Sequence, residues 1–262
     1  MMKTISITID LETDWGGRQD ARETNYGMEF ALPSIKGLLD EHKTKATFFV
    51  CGDIMENYRD AVLELKEAGH EIQCHGYRHI NFSRLPLQRI KEEIRKCVRL
   101  FSGFGIELSG FRAPQGRFND NLFKALASLG FDYDSSVIRA RIPGRFDNTG
   151  YPLEPFTAEK SGLKEIPVSP IPRLNLPLGL VWVNTMGFGV FKRLAGGLPE
   201  HAVFYMHPFD IVHPKPPFRA GFLQRGWYSF RQKNAEQTLK DMFKLFSGAR
   251  KSRTLGEVAG SL

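Results

Sequence analysis

An α/β fold built on a mostly parallel sheet, open or closed into a barrel, is the architecture that this 262-residue sequence predicts. Three observations carry that expectation. Short β-rich runs alternate with amphipathic helical patterns as far as about residue 137. A strong apolar strand returns at Ala202–Met206. Reactive side chains fall at strand ends: Asp10, His75, Arg112 and His207. In parallel α/β sheets the C-terminal strand ends are where chemistry sits.

The elements follow in order. Lys3–Asp10 reads as a strand with Ile5, Ile7 and Ile9 on one face. Pro33–His42 reads as a helix with Ile35, Leu38 and Leu39 on one side, and Ala46–Cys51 as a short strand. Met55–Ala68 is helical, stopped by Gly69, and Glu71–His75 is the next strand. Leu87–Phe101 is the clearest helix, with Pro86 at its start and Ile90, Ile94, Cys97 and Phe101 in phase. Gly110–Ala113 is extended, Asn119 caps a helix to Leu129, and Phe131–Val137 is a strand. From about Arg141 to Pro199 the chain is rich in Pro and Gly, with one extended piece near Leu163–Ser169. "NLPLGLVWVNTMGFGVF" is apolar but too broken for a long helix. After Ala202–Met206 come a Pro-rich loop, a helix near Ala235–Phe246 and a tail strand near Arg253–Leu255. The length suits one domain, residues 1–262, with residues 141–199 as an elaboration near a binding face.

The first strand ends in "DLETDW", three carboxylates within five residues. Like charges this close resist ionising together unless each has a partner. "CHGYRH" places His75 and His79 four apart, converging on a helix face or across a turn. Two imidazoles and a neighbouring carboxylate suit Zn²⁺ or a similar divalent ion. Arg112, in "GFRAPQG", can hold a carboxylate ionised and oriented, and Ala113–Pro114 forces an extended backbone that frees the amide of Gln115. His207, in "FYMHPFD", is a candidate general acid. Asp132 and Asp134, in "FDYDSS", could each orient it. His213 is close enough in sequence to His207 to touch substrate.

The ordered set "TIDLETDW", "ATFFVCGD", "GHEIQCHGYRHINFSRL", "GFRAPQGRFN", "FDYDSSV" and "VFYMHPFDI" resembles the polysaccharide deacetylases of the NodB-homology type, carbohydrate esterase family 4. The first block is similar to the D-x-E-D-W variant of exopolysaccharide and lipid-linked-sugar deacetylases. The resemblance implies an irregular (β/α)7-type barrel and metal-dependent removal of an N-acetyl group from an amino sugar, with release of acetate. It also implies Asp10 as base, Arg112 as its partner, and Glu12, His75 and His79 as metal ligands, with Asp14 as the alternative ligand. His207 would be the acid and Asp134 its orienter. Pro114, Gln115, Met206 and Trp182 would line the substrate and oxyanion site, Met206 standing where the family has leucine. The implied cofactor is a divalent metal, Zn²⁺ foremost, with Co²⁺, Ni²⁺ or Mn²⁺ also admissible. Two other readings compete: an amidohydrolase acting on a non-sugar C–N bond, like the allantoinase relatives, and a non-catalytic carbohydrate- or lipid-binding protein.

Cys51, Cys74 and Cys97 are an odd three with no CxxC, which disfavours a disulfide framework or a thiolate metal site. The formal charge is +7, and basic residues interleave with aromatics from Lys215 to Arg253. That stretch is a solvated face or a surface for an anionic partner such as a membrane. No nucleic-acid motif accompanies it. With neither a secretory signal nor an apolar span in the sequence, a cytoplasmic protein is expected, peripheral at the inner membrane face if the basic stretch binds lipid.

Overall fold

The computed structural model describes residues 3–17, 25–159, 161–212 and 233–262. Thirteen strands are found among these residues. The first five are β1 (Thr4–Leu11), β2 (Thr47–Val50), β3 (Glu71–Cys74), β4 (Gly110–Phe111) and β5 (Tyr133–Asp134). There follow β6 (Arg141–Ile142), β7 (Phe146–Asp147), β8 (Phe156–Thr157), β9 (Lys164–Glu165), β10 (Pro170–Ile171) and β11 (Leu176–Pro177). The last two are β12 (His201–Met206) and β13 (Lys251–Ser252). The main sheet runs β12-β1-β2-β3-β4-β5-β9-β8, with β13 also on β1. All its pairings are parallel except β8 with β9. Past β9 the backbone reaches the other end of the sheet: Ser169 N–H donates to Val203 C=O at 3.1 Å and Tyr205 N–H to Leu178 C=O at 3.1 Å. The sheet is therefore curled into the irregular barrel of the NodB type.

The alternation in β1 explains the curl. Ile5, Ile7, Ile9 and Leu11 pack outward in the large core shared with the helices. The other face turns Ser6, Thr8 and Asp10 inward, toward a smaller inner core of Phe49, Tyr133, Ile166, Val168 and Val203. Gly110 is required in that interior, since a Cβ there would lie 2.2 Å from the Tyr133 ring. The layer of helices outside the sheet includes Leu32–Glu41, Leu87–Ser102 and Asp120–Ser128. Asn119 accepts from Leu122 N–H as the expected cap of the last of these. Cys51, Cys74 and Cys97 are free and buried.

The structure refines the expected elements in several places. The Met55–Ala68 helix is two pieces, Gly52–Asn57 and Arg59–Glu67, because Tyr58 leaves the helical region (φ −129°, ψ 34°). The broken apolar stretch holds two short helices, Leu180–Met186 and Phe188–Leu194, parted by Gly187 at φ 87°. The tail is the strand Lys251–Ser252 followed by a helix, Leu255–Ala259, because Thr254 and Glu257 form a reciprocal capping box. Within the basic stretch, residues 213–232, His213 included, lie outside the described residues. Arg250 is no surface charge: its guanidinium is buried and donates to the carbonyls of Thr4, Leu198 and Pro199 at 2.7–3.1 Å. No helix among the described residues is long and apolar enough to cross a membrane.

Candidate active site

Asp10, Glu12, His75, His79, Arg112 and His207 line one cavity of about 540 Å³ at the C-terminal strand ends. β1 delivers Asp10 on its inner face and Glu12 just beyond its end. His75 follows β3 directly, and Arg112 follows β4. His79 arrives through a turn rather than a helix, made by Gly76 at φ 81°, where a Cβ would lie 3.1 Å from the Phe82 ring. His207 follows β12 and caps the one-turn helix Pro208–Asp210.

Two subsets of charge separate the crowded carboxylates. Arg112 Nη1 donates to Asp10 Oδ1 at 2.8 Å and to Thr8 Oγ1 at 2.7 Å. Its Nε and Nη2 donate to the Ser135 carbonyl and hydroxyl at 3.1 and 2.9 Å. The guanidinium also lies 4.3 Å over the Phe49 ring. The second subset is Glu12, His75 and His79, whose ligand atoms all lie within 4.8 Å of one another. His75 Nδ1 lies 2.8 Å from the Arg112 carbonyl, which places the proton on that nitrogen and turns the Nε2 lone pair toward Glu12. Glu12 Oε2 is 3.4 Å from His75 Nε2 and 2.5 Å from His79 Nε2. Glu12 Oε2 and His75 Nε2 are nonetheless buried without a well-formed hydrogen bond. Buried acceptors that converge and lack hydrogens between them are the donor set of a cation site, and one carboxylate with two imidazoles fits Zn²⁺. Burial would raise the Glu12 pKa, but the His79 and His207 charges and the close approach of the His75 and His79 ring nitrogens outweigh it and hold this carboxyl well below its usual range.

Asp14 has other work. Its oxygens accept from the N–H groups of Tyr26 and Gly27 at 2.7 and 3.0 Å, tying the segment after residue 25 to the end of β1. Burial pushes its pKa up to about 6 against those two hydrogen bonds. Of the two acidic candidates, Glu12 faces the imidazoles.

His207 Nε2 is 3.9 Å from Asp10 Oδ2 and 3.7 Å from Glu12 Oε1. Its other nitrogen, Nδ1, is 3.4 Å from Asp210 Oδ2, which also accepts from the His207 N–H at 2.9 Å. The ring is stacked on Phe209, with centroids 4.8 Å apart. Burial disfavours the imidazolium, yet Glu12, Asp210 and Asp10 together push its pKa up to about 9.

Asp134 does not reach this imidazole. It ends β5, well across the sheet from β12, and accepts from the Ser136 hydroxyl and N–H at 2.7 and 3.0 Å. It shares its buried space with Glu165, whose pKa is driven far up by burial and by the Asp134 charge. The neighbour that His207 does have, Asp210, stands in the same "HPFD" and was legible as a local capping partner. Met206 is likewise displaced: it packs in the outer core, while Tyr205, one residue earlier, lines the cavity. Alternation along β12 puts Tyr205 and His207 on one face and Met206 on the other. Gln115 and Trp182 do line the cavity, and the Trp182 indole donates to the Tyr205 hydroxyl at 3.3 Å. Pro114 is buried behind Gln115 and starts the tight turn that sets Gln115 at φ 63°.

The family model for polysaccharide deacetylase matches residues 3–133, half of the chain. This chain belongs to the polysaccharide deacetylase family. It is 31% identical over 130 residues to a peptidoglycan deacetylase-like protein of Gibberella zeae, covering 49% of this chain and 38% of that one. It is 26% identical over 140 residues to a peptidoglycan deacetylase of Helicobacter pylori, covering 50% and 48%. The chain thus spans less than half the length of these two relatives. The fold is that of a polysaccharide deacetylase crystal structure from Mycobacterium smegmatis, with TM-score 0.67, 19% identity, and coverage of 100% of this chain and 91% of that one. As a member of this family, the chain carries its strand-end site largely within the matched half; His207 comes from beyond it.

Proposed function

We propose that this polysaccharide deacetylase family member hydrolyses the N-acetyl group of an amino sugar. The observation that carries the reading is the convergence of an Arg-held carboxylate and the glutamate of a Glu-His-His donor set on an Asp-backed histidine, each within about 4 Å of its imidazole. Glu12, His75 and His79 would hold a divalent metal, Zn²⁺ by its ligand chemistry. When bound, such an ion polarises an acetamide carbonyl and acidifies water.

The chain's own residues supply the rest. Asp10, kept oriented by the Arg112 fork, accepts the proton of the attacking water. The backbone N–H of Gln115 donates to the developing oxyanion, a contribution typically worth about 2.7–4 kcal/mol. His207, with Asp210 at Nδ1, presents Nε2 to the departing amine and protonates it. Trp182 and Tyr205 form an aromatic wall for the sugar ring. The relatives named as peptidoglycan deacetylases support amino-sugar amides over non-sugar amides as substrate.

The test is acetate release by metal-loaded protein from free, polymeric and lipid-linked N-acetyl sugars, beside a cyclic amide. Asp10→Asn should abolish turnover with metal content intact. Loss of metal from that variant would overturn the division of roles between Asp10 and Glu12.

A further inference from the structure

The carboxylates of the cavity wall are each engaged. Asp10 is paired with Arg112, Asp210 with His207, and Glu12 with the two imidazoles. The wall carries two further guanidinium groups, Arg117 and Arg145. Arg145 sits on the β6–β7 hairpin and donates to the Gln115 carbonyl at 3.2 Å, which leans that hairpin on the Gln115 turn. Arg117 is two residues past Gln115 on the same turn. Its side chain makes no hydrogen bond or ion pair among the described residues, and its Nε is buried without an acceptor.

A buried N–H with no acceptor costs a fold stability, which a ligand at this wall would return. The turn that carries it is rigid. Gly116 stands at φ 60°, a Cβ there would lie 2.6 Å from Ile138 Cδ1, and the Arg117 N–H is tied to the Pro114 carbonyl at 3.2 Å. The turn therefore fixes the point from which the guanidinium lines the same cavity as Asp10 and Glu12, and its fork geometry matches a carboxylate or a phosphate.

We propose that the sugar taken by this site carries an anionic group, a carboxylate or a phosphate ester, which pairs with Arg117 at the cavity wall. The proposal rests on the deacetylase reading above and narrows its substrate class. A charge-assisted pair of this kind favours the anionic sugar over its neutral counterpart by about 10- to 100-fold.

The experiment compares three N-acetyl sugars on metal-loaded wild type, Arg117→Met and Arg117→Lys. They are a neutral N-acetylglucosamine oligomer, an oligomer of equal length bearing lactyl carboxylates, and N-acetylglucosamine 1-phosphate. The ratio of kcat/KM for an anionic over the neutral sugar should fall about 10- to 100-fold in Arg117→Met and recover in part in Arg117→Lys. Whichever anionic sugar shows that fall identifies the source of the charge. An equal loss on neutral and anionic sugars, or no loss, overturns the anionic subsite and leaves the deacetylase reading standing. If no sugar is turned over, the deacetylase reading fails. Calorimetric binding of the same sugars then decides the subsite: weaker anionic binding to Arg117→Met supports it, and unchanged binding overturns it. Thermal melting checks the fold of both variants and should move by no more than ~2 °C, as Arg117 holds no other element in place.

Discussion

Arg112→Met removes the cation that hydrogen-bonds Asp10 and leaves only the more distant His207 Nε2, at 3.9 Å. Arg112 is 3% exposed and Asp10 5%. The substitution takes from the buried Asp10 carboxylate its guanidinium donor and from the Ser135 carbonyl its Nε contact, while the Thr8 and Ser135 hydroxyls keep their bonds to the Phe204 and Ile166 carbonyls. Breaking a buried pair from one side costs about 3–5 kcal/mol. For a chain of this size that lowers Tm by roughly 6–20 °C. The shape of the site is otherwise preserved, since methionine fills most of the arginine stem over Phe49. A urea-denaturation cycle with Asp10→Asn isolates the pair. Asp10→Asn removes the anion that Arg112→Met strands, so the double variant should be more stable than additivity predicts by at least ~1.5 kcal/mol. A coupling below ~0.5 kcal/mol would refute the assignment of Arg112 as the electrostatic partner of Asp10.

Metal content separates the two acidic candidates: His79→Ala and Glu12→Gln should lose bound Zn²⁺ in elemental analysis, whereas Asp14→Asn should keep it. Asp14→Asn should instead cost about 1–3 kcal/mol of stability, from weaker hydrogen bonds to Tyr26 and Gly27. His207→Ala should lower kcat about 10²- to 10⁴-fold, and Asp210→Asn should lower it less, with metal content unchanged in both; an unaltered kcat in His207→Ala would remove it as the acid. His201 gives a pH signature. Burial, helped by Arg253 and Arg250, holds its pKa down at about 4 against roughly 6.5 in the unfolded chain. The unfolded state therefore binds the extra proton first. The stability contributed by neutral His201 is complete above about pH 6.5, is lost as pH falls toward 4, and is flat below, a change of about 3 kcal/mol. His201→Asn should show that much less loss across the window in urea titrations; identical profiles would refute the assignment.

Much of the site could be read before any fold was known. The run of isoleucines in β1 marks one face as core, and so marks Asp10 as facing the other way. The strand-end positions of His75, Arg112 and His207 follow from the same local periodicity. What failed was pairing between distant parts. Asp134 looks like a suitable partner for His207 until the structure turns it to the Ser136 hydroxyl and N–H and gives His207 the neighbouring Asp210 instead. Met206 was assigned to the cavity although alternation from His207 already pointed to Tyr205. The tail reads as a strand by its composition, but Thr254 and Glu257 cap a helix just after β13.

The sequence by itself determined the order of most strands and helices, the inward face of β1 and the strand-end placement of Asp10, His75 and His207. These depend on side-chain period and on residues within a few positions of one another. Only the tertiary structure decided that Glu12 rather than Asp14 meets the imidazoles, that Asp210 stands beside His207, and that Arg117 lines the cavity with no partner among the described residues. Those outcomes depend on the curl of the sheet and on turns at Gly76, Gln115 and Gly116 with positive φ, which aim side chains in directions no linear period encodes.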